Sequence, residues 1–310
     1  MVNVGILIDG GAGRIIASIP AIRKYIRNNP EHKVKVFCNG WSDLLWGIPE
    51  IESNLFSTET ANIFETQIKD CEIFIHPEPY SLSSYFNQHT SLVTAFDEII
   101  NNTKDHEDLE APQLILSKTE KVGAQNVIEK VKEVQGKEKT IIFQPFGRSI
   151  SRGPGGEVYD PTSRSINPGD FILLAKELRR HYNVLFFGER QFYIEDDTYK
   201  FDGTLREFAA IISASDYFIG CDSVGQHMAR ALNKFGTVIL GSTFADNVSY
   251  PGWFHIFQKH NPVRYSPIRL SGIDSHLADR RNEVCMEFTN EQIDSLFEGI
   301  QNDIQYFLSR

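Results

Sequence analysis

The 310-residue sequence has no apolar run of the roughly 18 residues that a membrane-spanning helix needs. Its beginning, Met1 to Gly10, has neither a basic leader nor a small-residue cleavage site, and reads as a first strand. Cysteine is scarce: Cys38, Cys71, Cys221 and Cys285 stand far apart with no C-x-x-C pair. That spacing offers neither a zinc site nor a disulfide framework, so reduced thiols in a cytoplasmic protein are expected. Positive charge is outnumbered, with 31 Lys and Arg against 41 Asp and Glu for a net charge of −10. A protein gripping nucleic-acid phosphates needs a basic face, so no nucleic-acid partner is expected, although local basic clusters can still bind a small phosphate ligand. A full dinucleotide fingerprint and a P-loop are also missing. Gly11-x-Gly13 would need a third glycine where Ile16 stands, and no Gly-Lys-Ser/Thr follows.

What is present is alternation. Val4 to Ile8 is a β-rich run, followed by Ile15, Ile19, Ile22 and Ile26 at helical steps. Pro20 inside that pattern should kink the helix or mark its first turn. Val34 to Cys38 and Glu72 to Ile75 read as further strands. Residues 101–139 are charge-rich, and "VQGKEK" (Val134 to Lys139) is the expected linker. Beyond it "TIIFQPF", "NVLFFG", "DYFIG" and "GTVILG" read as buried strands separated by helices such as "TLREFAAIISA" and "SVGQHMARALN". Strands and helices alternating at this spacing predict parallel α/β sheets. The expected division is residues 1–136, residues 137–290 and a C-terminal helix at 291–310.

In doubly wound sheets, ligands sit beyond the carboxyl ends of the strands, where helix N-termini favour phosphate. Four such junctions carry suitable residues. "IDGGAGRI" places Gly11 and Gly13 where a backbone can approach a ligand, or can simply turn tightly. "QPFGRSISRGPGGEVYDPTSRS" carries Arg148, Ser149, Ser151 and Arg152 close behind a strand, and the planar guanidinium forks of its arginines suit phosphate; incidental charges on a solvated loop are the alternative. "FFGERQ" puts Gly188 and Glu189 just past a strand, where a carboxylate can accept from ribose hydroxyls or lie on the surface. "CDSVGQHMARAL" sets Asp222, Ser223, Val224, Gly225 and His227 between a strand and a helix. They either bind a ligand there, or cap the helix with His227 in the core.

Together these stretches resemble the family 9, heptosyltransferase-like glycosyltransferases. The family's Asp-Ser/Thr-Gly-x-x-His-x-Ala-x-Ala-Leu run is similar to Asp222 through Leu232, with one extra residue before the glycine. "GRIIASIPAIRKYIRNNP" is similar to its first helix. "RSINPGDFILLAKELRRHYNVLFFGE" is similar to its basic segment and following helix, and "CMEFTNEQI" to its C-terminal stretch. The resemblance thins from about residue 40 to 135. It implies a GT-B fold: two Rossmann-like, doubly wound parallel-sheet domains facing a central cleft. It also implies an inverting, metal-independent transfer of a sugar, a heptose among the candidates, from a nucleoside-diphosphate donor to a glycan or glycolipid such as lipopolysaccharide or capsule. No cofactor and at most peripheral membrane contact are expected. The donor residues so implied are Gly11, Gly13, Arg148, Ser149, Arg164, Gly188, Glu189, Asp222, Ser223, Val224, Gly225 and His227, with no metal site. The Glu195-Asp196-Asp197 cluster follows no strand and reads as a solvated loop.

One departure stands out. Where the family carries an aspartate that serves as general base, after Gly13, this chain has Arg14. Arginine stays protonated and cannot be a base, so Asp9 is the expected base, with Arg14 beside it in the reacting site. A catalytically silent nucleotide-binding module is the competing reading. A nicotinamide-dependent oxidoreductase is disfavoured by the incomplete glycine pattern.

Overall fold

The computed structural model describes residues 1–160, 162, 164–188, 199–201, 203–241, 243–259 and 286–308. The described chain divides into two compact units, Met1–Ser117 and the residues from Lys118 onward.

The first unit is built on β1 (Val2–Ile8), α1 (Ala12–Asn28), β2 (His32–Cys38), α2 (Pro49–Glu52), β3 (Leu55–Ser57), β4 (Ile73–Ile75), α3 (Ser83–Phe86) and α4 (Leu92–Ile100). Its four strands are parallel, in the order β3-β2-β1-β4. Ile15, Ile19 and Ile22 bury the expected face of α1, which packs against α4. Pro20 lies inside an unbroken helix and is buried, so it neither ends nor begins it.

The second unit begins with α5 (Lys118–Gln135) and β5 (Thr140–Gln144), then a small antiparallel hairpin, β6 (Ser151–Arg152) and β7 (Val158–Tyr159). It continues through α6 (Pro168–His181), β8 (Asn183–Phe187), β9 (Tyr199–Phe201), α7 (Leu205–Ala214), β10 (Tyr217–Cys221) and α8 (Val224–Ala231). It closes with β11 (Gly236–Leu240), α9 (Ala245–Val248), β12 (His255–Gln258) and α10 (Asn290–Leu308). Six parallel strands run in the order β12-β11-β10-β5-β8-β9. Continuous apolar strands such as Tyr217–Cys221 are wholly buried, as a sheet covered on both faces requires. α10 packs on α6 and β11, adding Ile293, Leu296, Ile300 and Ile304 to the core.

Val134–Lys139, expected as the linker, is instead the end of α5 and the turn from it into β5. Gly136 takes φ +71° to reverse the chain there. α5 itself packs on α7, β5 and β8, so the helix that the sequence boundary at 136/137 leaves with the first domain lies with the second unit. Its charge misleads because only Ala124, Ile128 and Val131 are buried along its length.

Both sheets reverse their strand order once. In the first, β1 leads outward to β2 and β3, and β4 returns to its other side. In the second, β5 leads to β8 and β9, and β10 returns beside β5. The gaps beyond the carboxyl ends of β1/β4 and of β5/β10 are therefore the topological switch points, where such sheets hold ligands.

Candidate functional site

At the switch point of the second unit, Gly220 pairs with Gln144, so the ends of β10 and β5 lie side by side. Gln144, the polar last residue of an apolar strand, is buried and joins the two ends. Its Nε2 donates to Ser223 Oγ at 3.2 Å and its Oε1 accepts from the Gly225 N–H at 2.9 Å. Ser223 thus occupies the N-cap position of α8 without its hydroxyl bonding the first turn, contrary to the expected cap. The helix end is capped across the sheet by Gln144 instead.

Gly225 has a packing reason of its own. A Cβ there would stand 2.2 Å from Gln144 Oε1 and 2.8 Å from the Phe218 ring. Gly225, a ligand candidate by its place between strand and helix, is therefore already pressed against its neighbours, and its N–H is engaged. Gly225→Val is expected to cost about 1–3 kcal/mol of stability by overpacking. Chemical denaturation without nucleotide measures it, and an unchanged midpoint would remove the packing explanation.

Around this junction the chain gathers Arg164, Asp222 and His227. Asp222 is buried, and its Oδ1 accepts from Gln226 Nε2 at 3.1 Å. Its Oδ2 lies 3.9 Å from Arg164 Nη1. Burial pushes the Asp222 carboxyl above its usual range, and Arg164, Thr243 and Gln226 offset only part of that. Arg164 also donates through Nε to Thr162 Oγ1 at 2.9 Å. The loop that carries Arg164 is organised by Asp160. Asp160 Oδ2 accepts from the Ser165 N–H at 3.0 Å and from Ser165 Oγ at 2.6 Å, and Ser165 Oγ accepts from the Gly147 N–H at 2.9 Å. His227 is buried with Nδ1 2.7 Å from the Tyr250 hydroxyl. Burial first, and then the charge of Arg164, push its imidazole down to about 4, so it is uncharged at neutral pH.

Arg148 is exposed and Ser149 half-buried on the loop after β5, while Gly188 directly follows β8, on the far side of β5 from the switch point. Glu189 and the acidic cluster at 195–197 lie outside the described residues.

The switch point of the first unit holds Asp9, just past β1. Its Oδ1 accepts from the Gly10 N–H at 2.6 Å and from Asn39 Nδ2 at 3.0 Å. Asn39 in turn accepts from Thr58 Oγ1 at 3.3 Å. Burial raises the Asp9 carboxyl, but the Asn39 and Gly10 hydrogen bonds with the charges of Arg14 and His76 outweigh it and hold it below the usual carboxylate range. Gly10, at φ +99°, is the glycine this loop needs by conformation, and the side chain of Arg14 lies against it. Gly11 is the N-cap of α1 with open space beside its Cα, and Gly13 is half-buried in the first turn.

Arg14 lies beside the Asp9 loop, as expected, and its guanidinium is held in an ion pair. It is buried, and its Nη1 reaches both Glu78 carboxylate oxygens, at 3.2 and 3.1 Å, while Nη2 donates to the Pro77 carbonyl at 3.2 Å. Its guanidinium also lies 5.0 Å from the centre of the Tyr80 ring. Arg14 is thus an ion-paired part of the fold that braces β4's exit loop against α1.

Gln144, Asp160, Thr243, Tyr250 and Glu78 went unnoticed in the sequence. Only Gln144 had a local signal, a polar residue closing an apolar strand. Among the described residues, no group of three or more His, Cys, Asp or Glu is placed to hold a metal ion, and no helix is long and apolar enough to cross a membrane.

No protein-family model matches the chain, and no curated protein matches it in sequence. Solved structures do match its fold. The ADP-heptose LPS heptosyltransferase II of E. coli aligns over 100% of both chains, with 15% identity and a TM-score of 0.67. A family 9 glycosyl transferase of Veillonella parvula covers 97% of this chain and 98% of its own, with 10% identity and a TM-score of 0.66. TibC of enterotoxigenic E. coli, described as an iron-containing dodecameric glycosyltransferase, covers 99% of this chain and 79% of its own, with 14% identity and a TM-score of 0.60. TibC has also been solved with ADP-D-β-D-heptose. At such identities the shared property is the fold. In its fold the chain resembles the heptosyltransferases and family 9 glycosyltransferases of known structure.

Proposed function

We propose that the chain is a glycosyltransferase that takes a sugar from a nucleoside diphosphate and passes it to a glycan or glycolipid hydroxyl. The observation that carries this reading is the switch point of the second sheet. There, Arg164, the Ser223 hydroxyl and His227 surround the N-terminus of an eight-residue helix. An arginine fork, a hydroxyl and a helix's positive end suit the charge that grows on a departing diphosphate. The GT-B arrangement, with donor and acceptor units facing across a cleft, belongs to the same proposal, as does work in the cytoplasm. So does inversion at the sugar carbon, with Asp9 taking the acceptor proton. A heptose donor and a lipopolysaccharide-type acceptor are the favoured substrates, because the heptosyltransferases share the fold.

In this reading no metal and no cofactor take part, since arginine and the helix end meet the leaving charge. Nucleoside diphosphate release from a panel of sugar nucleotides, with cell-envelope glycan extract as acceptor, is expected to proceed unchanged in EDTA. Release abolished by EDTA and restored by Mg²⁺ or Mn²⁺ would overturn the metal-free mechanism.

A second reading, a silent nucleotide-binding protein, is favoured by one observation. The family's carboxylate position is held by a buried, ion-paired arginine. The same assay separates the two: binding without release under any acceptor belongs to the silent protein.

A further inference from the structure

His227 and Tyr250 form a closed pair. His227 stands one turn into α8, and Tyr250 follows α9. Their rings meet edge to face at 5.6 Å and 84°, and Tyr250 also packs edge-on against Phe254 at 6.1 Å. The 2.7 Å contact between Tyr250 Oη and His227 Nδ1 is the one hydrogen bond that either side chain makes among the described residues.

That contact holds a single proton, from the phenol or from the ring. A phenol is a good donor and a modest acceptor, while the bare imidazole nitrogen is a strong neutral acceptor. If Nδ1 carried the proton, the Tyr250 O–H would face surroundings in which no described side chain accepts it, at a cost usually avoided near the core. With the phenol donating, Nδ1 is the acceptor and the ring's own hydrogen must sit on Nε2, because the ring is neutral and carries just one. The bond at one nitrogen thus decides what the other offers.

We propose that Tyr250 is a positioning residue that fixes His227 as the Nε2–H tautomer, so that the imidazole presents a hydrogen-bond donor to the diphosphate of the sugar donor. The proposal rests on the donor-site reading for its ligand, but not for its tautomer. The charged groups that bear on the pair are Arg164, whose charge acts on the ring, and Arg230, whose charge acts on the phenol. Arg164 discourages a second proton on His227, and Arg230 eases the proton away from the phenol, towards the imidazole. A ring whose Nε2 already carries a proton cannot take one from the acceptor, so His227 is a donor to the leaving group and never the general base.

Long-range ¹⁵N spectra of the imidazole nitrogens read the tautomer directly in the unliganded chain. The wild type is expected to show the Nε2–H form throughout from about pH 8 to about pH 5, above the range in which His227 charges. Tyr250→Phe, which keeps the ring contacts and removes the O–H, is expected to admit the Nδ1–H form. It should also weaken binding of the nucleoside diphosphate tested by roughly five- to tenfold, the scale of one lost hydrogen bond. In a His227→Gln background the same change should leave affinity as it is. A wild-type Nδ1–H tautomer would overturn the proposal, and so would a Tyr250→Phe variant with unchanged tautomer and affinity. An Nε2–H tautomer in a chain that binds no nucleoside diphosphate would instead sink the donor-site reading.

Discussion

Asp9→Asn is expected to lower sugar transfer at least ~100-fold, the scale of general-base loss, while leaving nucleotide affinity unchanged. Asp9 stands at the switch point of the first sheet with Oδ1 held by the Gly10 N–H and Asn39. Asn39 is braced in turn by Thr58. One oxygen is therefore fixed by the loop, and the proposal assigns the other to the acceptor hydroxyl. The carboxyl is held below its usual range, so it is ionised at neutral pH and ready to accept a proton. A low-lying carboxylate is a weak base, which sets the limit on its contribution. Asparagine keeps the size and can still accept from Gly10, so the loop survives. Steady-state release assays alongside titrations with nucleoside diphosphate separate the outcomes. Wild-type turnover in Asp9→Asn rules Asp9 out as the base. Parallel loss of turnover and binding assigns it to shaping the Gly10–Gly13 loop.

Glu78→Ala is expected to destabilise the chain by about 3–5 kcal/mol, because it leaves a buried guanidinium without its counter-charge. Arg14 is 4% exposed and spends Nη1 on Glu78. The remaining hydrogen-bond partner, the Pro77 carbonyl, cannot neutralise it, and Asp9 acts on it through space without a hydrogen bond between them. Replacing both partners removes the charge that needed pairing, so Arg14→Met with Glu78→Gln should regain most of the loss. Denaturant midpoints of the single and double variants measure both steps. A Glu78→Ala loss below about 1 kcal/mol, the scale of an exposed pair, would show that Arg14 is not buried as the structure has it.

These two residues also show where the sequence was legible and where it was not. Asp9 could be found from a single line of sequence because it ends an apolar run ahead of a glycine loop. Arg14 stood out as a departure from the family's pattern. Its partner could not be found, because Glu78 lies 64 residues away and meets it only through the placing of β4 beside β1. In the second sheet β5, β8, β10 and β11 were read because they are five-residue buried runs bounded by glycine and helix signals, while β9 and β12, three and four residues long, were not. In the first unit β3 and β4 are three residues each, with half-exposed or exposed side chains, too short for periodicity to announce their true ends.

The junction at 221–232 was legible as a strand followed by a helix. Its chemistry was less so. Ser223 and Gly225 suggested a cap and an open helix end, but both answer to Gln144, whose position follows from the register of β5 against β10. Asp160 and Tyr250 likewise act through partners that only folding brings near. Residue types marked the place, and the order of strands in the sheet decided who met whom.

The central claim is that the switch point between β5 and β10 holds a nucleoside diphosphate. ADP, UDP, GDP and CDP can be screened by thermal melting, where the right one stabilises the fold by roughly 2.7 kcal/mol at a hundredfold excess over its dissociation constant. A crystal structure of that complex is then the most direct measurement. The account predicts diphosphate oxygens within hydrogen-bond distance of the Arg164 guanidinium and of Ser223 Oγ or His227 Nε2. A diphosphate bound elsewhere, or a chain whose melting none of the four nucleotides shifts, would contradict it.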